Sequence, residues 1–283
     1  MSKAITNAMT VDVEDYFQVS AFAKHYPHSR WDSQPLRVEK NTQRLLSLFN
    51  KHQIKATFFT LSWVAERCPN LIKEIVAQGH ELASHGHWHQ RVSELSPQEF
   101  KQDLYRSKSI LEQVSGVEVM GYRAPSFSIG DENFWAFEII RELGFRYSSS
   151  TYPIKHDHYG VPQWPRFSYQ VIDELIEIPV TTLKRYCKTW PIAGGGYFRL
   201  APYQLSRWAL KQFHLQEQRA AVFYVHPWEL DPQQPRTCGV GYKTRFRHYL
   251  NLDKVEQRLG CLLTDFNWST MKNVYQTDLQ LIK

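Results

Sequence analysis

Three histidines stand two residues apart in the segment HELASHGHWHQ, which covers residues 80–90. On a continuing strand His85, His87 and His89 would all face one side, whereas on a helical turn only His85 and His89 would do so. The strand-like run HELAS ends near Ser84, so we expect the chain to turn there and bring His85 and His89 together. Two imidazoles four residues apart often hold zinc or a similar divalent metal, although hydrogen-bonded surface histidines can have the same spacing.

Carboxylates are the second chemical feature, and Asp12, Glu14 and Asp15 stand at the end of the first strand-like run, AMTVDV. Because side chains alternate along a strand, Asp12 and Glu14 are expected on one face. An acidic pair at the exit of an apolar strand is costly without a cation partner or full solvation. A solvated acidic loop is the alternative, but the pattern favours a third metal ligand beside the histidine pair.

Helices and strands must alternate to position these residues. Apolar residues recur at helical spacing in LRVEKNTQRLLSLFNKHQ and in PNLIKEIVAQG, which ends at Gly79 as a left-handed cap would. Residues 96–99 form a capping-box pattern that opens a helix running to about residue 116, and DENFWAFEIIRELG predicts another helix closed by Gly144. Strands are predicted in the segments AMTVDV, KATFFTL, HELAS, VMGYRAP and FRYSSS.

The second half of the chain is less regular. Residues 151–200 predict mainly loops, with a strand in ELIEIPV and a flexible turn in AGGGYF. The helix APYQLSRWALKQF, the strand AAVFYVHPWEL, a loop over 231–250 and a final helix LDKVEQRLGCLL follow. About seven units predict an α/β fold, a complete or distorted β/α barrel, with chemistry at the strand ends. The clusters DVEDY, ASHGHWH and FYVHPWEL all fall at such ends.

Length and composition exclude several classes of protein. The chain has 283 residues, 42% of them hydrophobic, and lacks low-complexity tracts, which argues against a disordered or repeat protein. A net charge of +6, spread along the chain, predicts no nucleic-acid partner. The four cysteines are far apart, and no apolar leader or bilayer-length run is present, so we expect a cytoplasmic protein without an integral membrane segment. Nine tryptophans and fifteen tyrosines could supply flat platforms for sugars.

Taken in order, TVDVED, HGHWH, GYRAPSFS and FYVHPWEL resemble the successive motifs of the polysaccharide deacetylase family, also called the NodB-homology family. The resemblance covers about residues 9–268, and the ordered set is far more specific than any one motif. VDVEDYFQVSAF and RFRHYLNLDKVEQRLGCLLTDF resemble the subfamily associated with exopolysaccharide and exosortase (PEP-CTERM) loci. The resemblance implies a NodB-like barrel at about 9–230 and a C-terminal extension at 231–283, in one catalytic domain over 1–283.

The resemblance also implies a role for each matched residue. Asp12 would be the general base, His226 the general acid, and Arg123 the partner that orients the base. His85 and His89 would be two ligands of a divalent metal, with zinc as the expected ion. Such a metal, held by three protein ligands with one position open, acidifies water and polarises an acetamide carbonyl.

The third ligand stays open at this point. Most of the family has two adjacent aspartates, whereas here Asp12 is followed by Val13. Glu14 is preferred by strand parity, and Asp15 is the alternative if the strand carries a one-residue bulge. A backbone N–H near Ser126 is expected to hold the oxyanion that forms when water attacks the acetamide.

One departure from the family pattern concerns the catalytic histidine. Ser148 stands where the family usually has an aspartate that orients His226. Serine cannot supply the charge that would raise the pKa of His226. Either another acid, with Asp157 and Asp173 as candidates, supplies that charge, or the enzyme is slower than its relatives.

These features predict a metal-dependent hydrolase that removes N-acetyl groups from an amino-sugar polysaccharide or its precursor, in exopolysaccharide biosynthesis. Trp88, Trp228 and Ser126 are expected to contact the acetylated sugar. One alternative is a catalytically silent carbohydrate-binding protein of a polysaccharide assembly system, which only the Ser148 departure supports. The other is an amidohydrolase that acts on a small molecule with the same fold.

Overall fold

Strands and helices alternate through the part of the chain that the computed structural model describes, residues 5–155, 160–186 and 188–281. The strands are β1 (Thr6–Val13), β2 (Thr57–Thr60), β3 (Glu81–Ser84), β4 (Gly121–Tyr122), β5 (Tyr147–Ser148), β6 (Tyr169–Ile172), β7 (Leu175–Glu177), β8 (Thr182–Arg185), β9 (Lys188–Pro191), β10 (Val222–Val225) and β11 (Asn267–Ser269). The helices are α1 (Val38–Lys51), α2 (Ser62–Arg67), α3 (Pro69–Ala77), α4 (Pro97–Ser115), α5 (Trp135–Glu142), α6 (Gly195–Leu200), α7 (Tyr203–Glu217), α8 (Tyr242–Tyr249), α9 (Val255–Asp265), α10 (Met271–Val274) and α11 (Gln276–Leu281).

Seven strands lie parallel in the order β10, β1, β2, β3, β4, β5 and β7. At one edge β6 runs antiparallel to β7, and β11 pairs in parallel with the first residues of β1. Between β7 and β10 the chain includes β8 and β9, which form a separate antiparallel sheet. The fold is therefore a distorted β/α barrel with seven parallel strands, which confirms the predicted fold class.

The closure of this barrel depends on a glycine. Gly194 forms a bridge with Tyr224 of β10, and the Tyr224 N–H donates to the carbonyl of Ala193 at 2.9 Å. A Cβ on Gly194 would lie 1.9 Å from the Tyr224 carbonyl oxygen, and the φ of Gly194 is 120°. Only glycine accepts both the close approach and this dihedral angle.

Local sequence explains most of the helices. α1 buries an apolar stripe that includes Leu45 and Phe49, as its spacing predicts, and each such side chain removed from water contributes about 1.5–3 kcal/mol. At the start of α4 the Ser96 hydroxyl accepts the Glu99 N–H, and the Glu99 carboxylate accepts the Ser96 N–H at 2.9 Å. The same helix ends at Gly116, so the predicted capping box and helix end are both confirmed. Gly79, after α3, has φ 78°, which confirms the left-handed cap predicted there.

Two predicted irregular segments are helical instead. The AGGGYF segment was expected to be a flexible turn and begins α6, and the expected loop over 231–250 contains α8. Glycines weaken a helix in isolation, so the sequence signal favoured a turn. In the fold, Arg199 of α6 is buried and donates to the Glu229 carboxylate and to the His248 carbonyl, which fixes the helix by tertiary contacts. The β8–β9 hairpin within 151–200 and the segments after α9 were also not predicted.

Residues after 230 pack against the barrel. Thr6, Asn7 and Ala8 of β1 pair with the three residues of β11, and Trp268 and Met271 are buried. Within the described ranges, no helix combines the length and the apolar character needed to cross a bilayer.

Candidate active site

Polar side chains meet at the carboxyl ends of four parallel strands. Asp12 lies in β1 and Glu14 directly follows it, His85 follows β3, Arg123 follows β4 and His226 follows β10. Asp12, Glu14, His85 and Arg123 are buried, and the side chain of His226 is 17% exposed. Because neighbouring parallel strands end at the same rim, the barrel brings together residues that are up to 214 positions apart in the sequence.

Glu14, His85 and His89 form a cluster with the geometry of a metal site. One ligand atom from each residue lies within 4.8 Å of the others. Glu14 Oε2 is buried and lies 2.6 Å from His89 Nε2. In the described part of the chain, no donor makes a well-aligned hydrogen bond to this oxygen. Two imidazoles and a carboxylate are a common ligand set for divalent zinc. The residues present therefore fit a divalent metal ion.

The three histidines of the HGHWH segment diverge as the turn after β3 predicted. The rings of His85 and His89 lie 5.1 Å apart between centroids, while His87 points away and its Nδ1 is hydrogen-bonded to the Ser62 hydroxyl at 2.7 Å. His85 Nδ1 donates to the carbonyl of Arg123 at 2.8 Å, which leaves Nε2 directed at the cluster. Such a bond fixes the tautomer and ring orientation of a ligating histidine.

Gly86 and Asp103 shape the turn that carries these histidines. The Asp103 carboxylate, on α4, accepts the N–H groups of His87 and Trp88 at 2.9 and 3.2 Å. Gly86 has φ 80°, and a Cβ there would lie 2.9 Å from Asp103 Oδ2. The turn therefore needs glycine between the two facing histidines, both for its dihedral angle and for the approach of Asp103.

Glu14 and Asp15 face different parts of the fold. Glu14 Oε1 accepts the indole N–H of Trp228 at 3.0 Å, which leaves Oε2 directed at His89. The Asp15 carboxylate instead accepts the backbone N–H groups of Arg37 and Val38 at 2.7 and 2.8 Å. Asp15 thus caps the start of α1 and lies outside the histidine cluster.

Asp12 is held by a buried arginine. Arg123 Nη1 lies 2.6 Å from Asp12 Oδ1 and also donates to the Thr10 hydroxyl at 2.8 Å. Its other nitrogens donate to the carbonyl and the hydroxyl of Ser149, and its guanidinium lies 4.0 Å from the centre of the Phe59 ring. Since the whole Arg123 side chain is inaccessible to solvent, this arrangement fixes the direction of Asp12.

His226 faces the carboxylates with one nitrogen and a glutamate with the other. Its Nε2 lies 3.9 Å from Asp12 Oδ2 and 3.7 Å from Glu14 Oε1, and its Nδ1 donates to Glu229 Oε2 at 3.2 Å. The other oxygen of Glu229 accepts from Arg199 Nε at 2.7 Å. Burial lowers the pKa of His226, but the Glu229 hydrogen bond and the nearby carboxylates outweigh it and raise the pKa to about 9.

Glu229 is the acid that sequence reasoning missed. Ser148 lies at the end of β5, where its hydroxyl donates to Ser150 at 2.7 Å, and no contact with His226 is found for it in the described structure. Asp173 lies in the turn between β6 and β7 beside Gln170, and Asp157 lies outside the described residues. The acid instead follows the histidine by three positions in HPWE, a signal that was present in the sequence.

The expected substrate contacts have different environments. Trp88 is half-buried, stacks on His28 at 4.9 Å, and lines a cavity of about 420 Å³ that also reaches His89. Ser126 has φ 56° and its hydroxyl is hydrogen-bonded to Ser20, another lining residue of that cavity. Trp88 and Ser126 therefore lie at or next to one cavity beside the histidine cluster.

The structure contradicts the expectation that Trp228 contacts the sugar. Only 4% of its surface is exposed, because its ring is stacked between His226 and His248, with centroid distances of 5.1 and 4.3 Å. Its indole N–H is also committed to Glu14. The side chain supports two site residues from behind and has no free face for a sugar.

Comparison with known families divides the chain in two. Residues 25–148 match the family described as Polysaccharide deacetylase, and residues 149–276 match the family described as Domain of unknown function (DUF3473). The boundary follows β5 and so cuts through the barrel. Asp12 and Glu14 precede the first match, and His226 lies within the second.

A curated protein is similar to part of the chain. A peptidoglycan-N-acetylglucosamine deacetylase of Bacillus cereus is 30% identical over 98 residues, which are 34% of this chain and 36% of that protein. The chain thus spans little more than a third of the length of this curated relative.

Two solved structures share the fold over nearly the whole chain. A Mycobacterium smegmatis protein described as a candidate polysaccharide deacetylase has a TM-score of 0.63 and 18% identity, and the match covers 100% of this chain and 94% of that one. An allantoinase, Puue, has a TM-score of 0.60 and 16% identity, with 96% and 89% covered. At these identities the likeness is one of fold.

Proposed function

We propose, from the match of residues 25–148 to the polysaccharide deacetylase family, that the chain is a metal-dependent hydrolase of N-acetylated amino-sugar polysaccharide or its precursor. The observation that carries the proposal is the buried Glu14, His85 and His89 cluster, which lies beside both a fixed carboxylate and a histidine. Neither family match alone contains all of these residues. The proposed catalytic unit is therefore the whole of 1–283, with the barrel at about 9–230 and the extension at 231–283.

Glu14, His85 and His89 would hold the metal, for which zinc is proposed from the ligand types. A bound divalent ion would acidify water and polarise the acetamide carbonyl. Asp12 is the proposed general base, since its Oδ2 is left facing the site while Arg123 holds Oδ1. Arg123 is proposed to position Asp12 and not to contact the substrate.

His226 is the proposed general acid. Its Nε2 faces the site on the side of Asp12 and Glu14, where it can protonate the departing amine. Glu229 stabilises the protonated imidazole through Nδ1 and is in turn held by Arg199, so it takes the part expected of an aspartate at position 148. A backbone N–H near Ser126 is proposed to stabilise the oxyanion, and Trp88 to contact a sugar ring.

Measurement of bound metal together with acetate release from N-acetylated chito-oligosaccharides tests this proposal. We expect about one divalent ion per chain and acetate release that a chelator abolishes. O-acetylated xylo-oligosaccharides, tested in parallel, separate N-deacetylation from O-deacetylation. Metal binding without turnover of any acetylated glycan would favour the silent carbohydrate-binding protein, and turnover of small amides alone would favour the amidohydrolase.

The biological setting is a further part of the proposal. An exopolysaccharide substrate is supported by the motifs shared with exopolysaccharide loci and by the cavity beside Trp88 and His89, which opens to solvent at exposed residues such as Lys24. A cytoplasmic location is supported by Cys68, Cys238 and Cys261, which are free thiols. Cell fractionation with an antibody against the chain tests the location.

A further inference from the structure

Five large apolar side chains are exposed together on the β8–β9 hairpin, α7 and the segment between them. These residues, here called the hairpin patch, are between 40% and 83% exposed and comprise Tyr186, Trp190, Leu200, Leu205 and Trp208. All except Leu200 line one apolar cavity of about 360 Å³. Large apolar residues gathered around one opening mark an interaction site more often than scattered ones do.

The hairpin patch belongs to an element that stands apart from the barrel sheet. β8 and β9 pair only with each other in the described structure, in a two-stranded antiparallel sheet. Leu183 and Phe198 form the buried floor of the cavity, while Trp190 and Trp208 stand at its exposed part. The apolar surface is thus supported from below and open toward solvent.

The charged residues of the segment that carries the patch have one sign. Between Glu177 and Glu217 the sequence contains no Asp or Glu and six Lys or Arg residues. Lys184, Lys188 and Lys211 are exposed and form no ion pair within the described ranges. Arg185 lies with its guanidinium 5.1 Å from the Tyr186 ring and 4.9 Å from the Trp208 ring. Arg199 and Arg207 are paired with Glu229 and Asp265, but the three exposed lysines leave the segment with positive charge that complements a negatively charged partner.

We propose that the hairpin patch docks on the surface of an anionic phospholipid bilayer. Trp and Tyr side chains favour the depth of the lipid headgroups, apolar side chains beside them enter the acyl boundary, and Lys residues are attracted to anionic lipid. A protein partner fits less well, because protein interfaces are depleted in Lys and pair charges of both signs. This attachment is peripheral and involves no membrane-spanning segment.

The proposal does not depend on the deacetylase function, because its residues are distinct from those of the candidate site. The nearest link is α6, whose Arg199 contacts Glu229 while Phe198 lines the cavity of the patch. A catalytically inactive chain would bind membrane equally well. Membrane binding and turnover can therefore fail independently of each other.

Sedimentation of the full chain with lipid vesicles tests the docking. Phosphatidylcholine vesicles that contain 30% phosphatidylglycerol should bind the chain, pure phosphatidylcholine should bind it at least tenfold more weakly, and added salt should release it. Trp190→Ser combined with Tyr186→Ser should weaken binding by at least tenfold. Lys184→Gln and Lys188→Gln should each cost about fivefold, and mainly at low salt.

Matched variants elsewhere on the surface serve as controls. Tyr105 on α4 is 64% exposed and Lys73 on α3 is exposed, so Tyr105→Ser and Lys73→Gln should leave vesicle binding unchanged. Circular dichroism and thermal unfolding establish that each variant is folded. Equal losses in the controls, equal binding to neutral and anionic vesicles, or no binding at all would overturn the proposal. Self-association that Trp190→Ser abolishes, without vesicle binding, would assign the patch to contact between copies of the chain and would also overturn it.

Discussion

Replacing Glu229 by glutamine should shift the pH dependence of catalysis. Glu229 donates no proton itself, but its carboxylate accepts from His226 Nδ1 and so stabilises the charged imidazole. The raised pKa of His226, about 9, keeps the histidine in its acid form across the neutral range, and catalysis by that acid declines as the pH rises through this value. Loss of the negative charge therefore lowers the pKa and moves the alkaline limb to lower pH.

The size of the shift follows from the contact distance. An opposite charge at hydrogen-bond range changes a pKa by about 1–3 pH units, so the limb of Glu229→Gln should fall to about pH 6–8. At pH 8 a histidine with a pKa of 9 is about nine-tenths protonated, and one with a pKa of 7 about one-tenth, so kcat/KM should fall about tenfold there. At pH 6 the kcat/KM values of the wild type and Glu229→Gln should differ much less.

The assay is a profile of kcat/KM for acetate release from pH 5 to 10, at equal metal loading. Glu229→Asp keeps the charge and should keep an alkaline limb near that of the wild type. Asp173→Asn and Ser148→Asp should leave the limb unmoved, because neither position contacts His226. Since Glu229→Gln leaves the buried Arg199 without its carboxylate, thermal unfolding must accompany the profile. An unmoved limb in folded Glu229→Gln, or a raised limb in Ser148→Asp, would refute this assignment.

Five further variants test the site by metal content, stability and rate. His85→Ala should lose the metal while His87→Ala retains it, because only His85 faces the cluster, and equal loss in both would contradict the turn geometry. Glu14→Gln should weaken metal affinity by about 10–100-fold. Asp15→Asn should leave metal affinity unchanged and lower the free energy of unfolding by about 1–2 kcal/mol, because Asp15 caps α1. A larger loss of metal affinity in Asp15→Asn than in Glu14→Gln would exclude Glu14 as the third ligand. Asp12→Asn should bind metal normally but reduce acetate release by about two to four orders of magnitude, and unchanged turnover would remove Asp12 as the base.

The sequence alone was sufficient for features that depend on neighbouring residues. The capping box at Ser96 and the left-handed end at Gly79 were predictable because their hydrogen bonds join residues within one or two helical turns. The divergence of His87 from His85 was predictable because the chain leaves the strand geometry at the end of β3. The barrel followed from the regular alternation of strands and helices, together with the polar clusters at strand ends.

Other features required the tertiary structure, because the deciding partner is distant in the sequence. Parity along β1 favoured Glu14, but a bulge would have favoured Asp15, and only the fold shows that Asp15 is engaged by the start of α1, 22 and 23 residues later. The HPWE motif places Glu229 near His226, but the glutamate is held in position by Arg199, which lies 30 residues earlier in a glycine-rich segment whose sequence predicts a turn. The sequence around Trp228 does not show which side chains stack against its ring. Only the packing of His226 and His248 on its two sides places it behind the site. Side-chain direction in a barrel is fixed by contacts between strands, and those contacts are not encoded within any one segment.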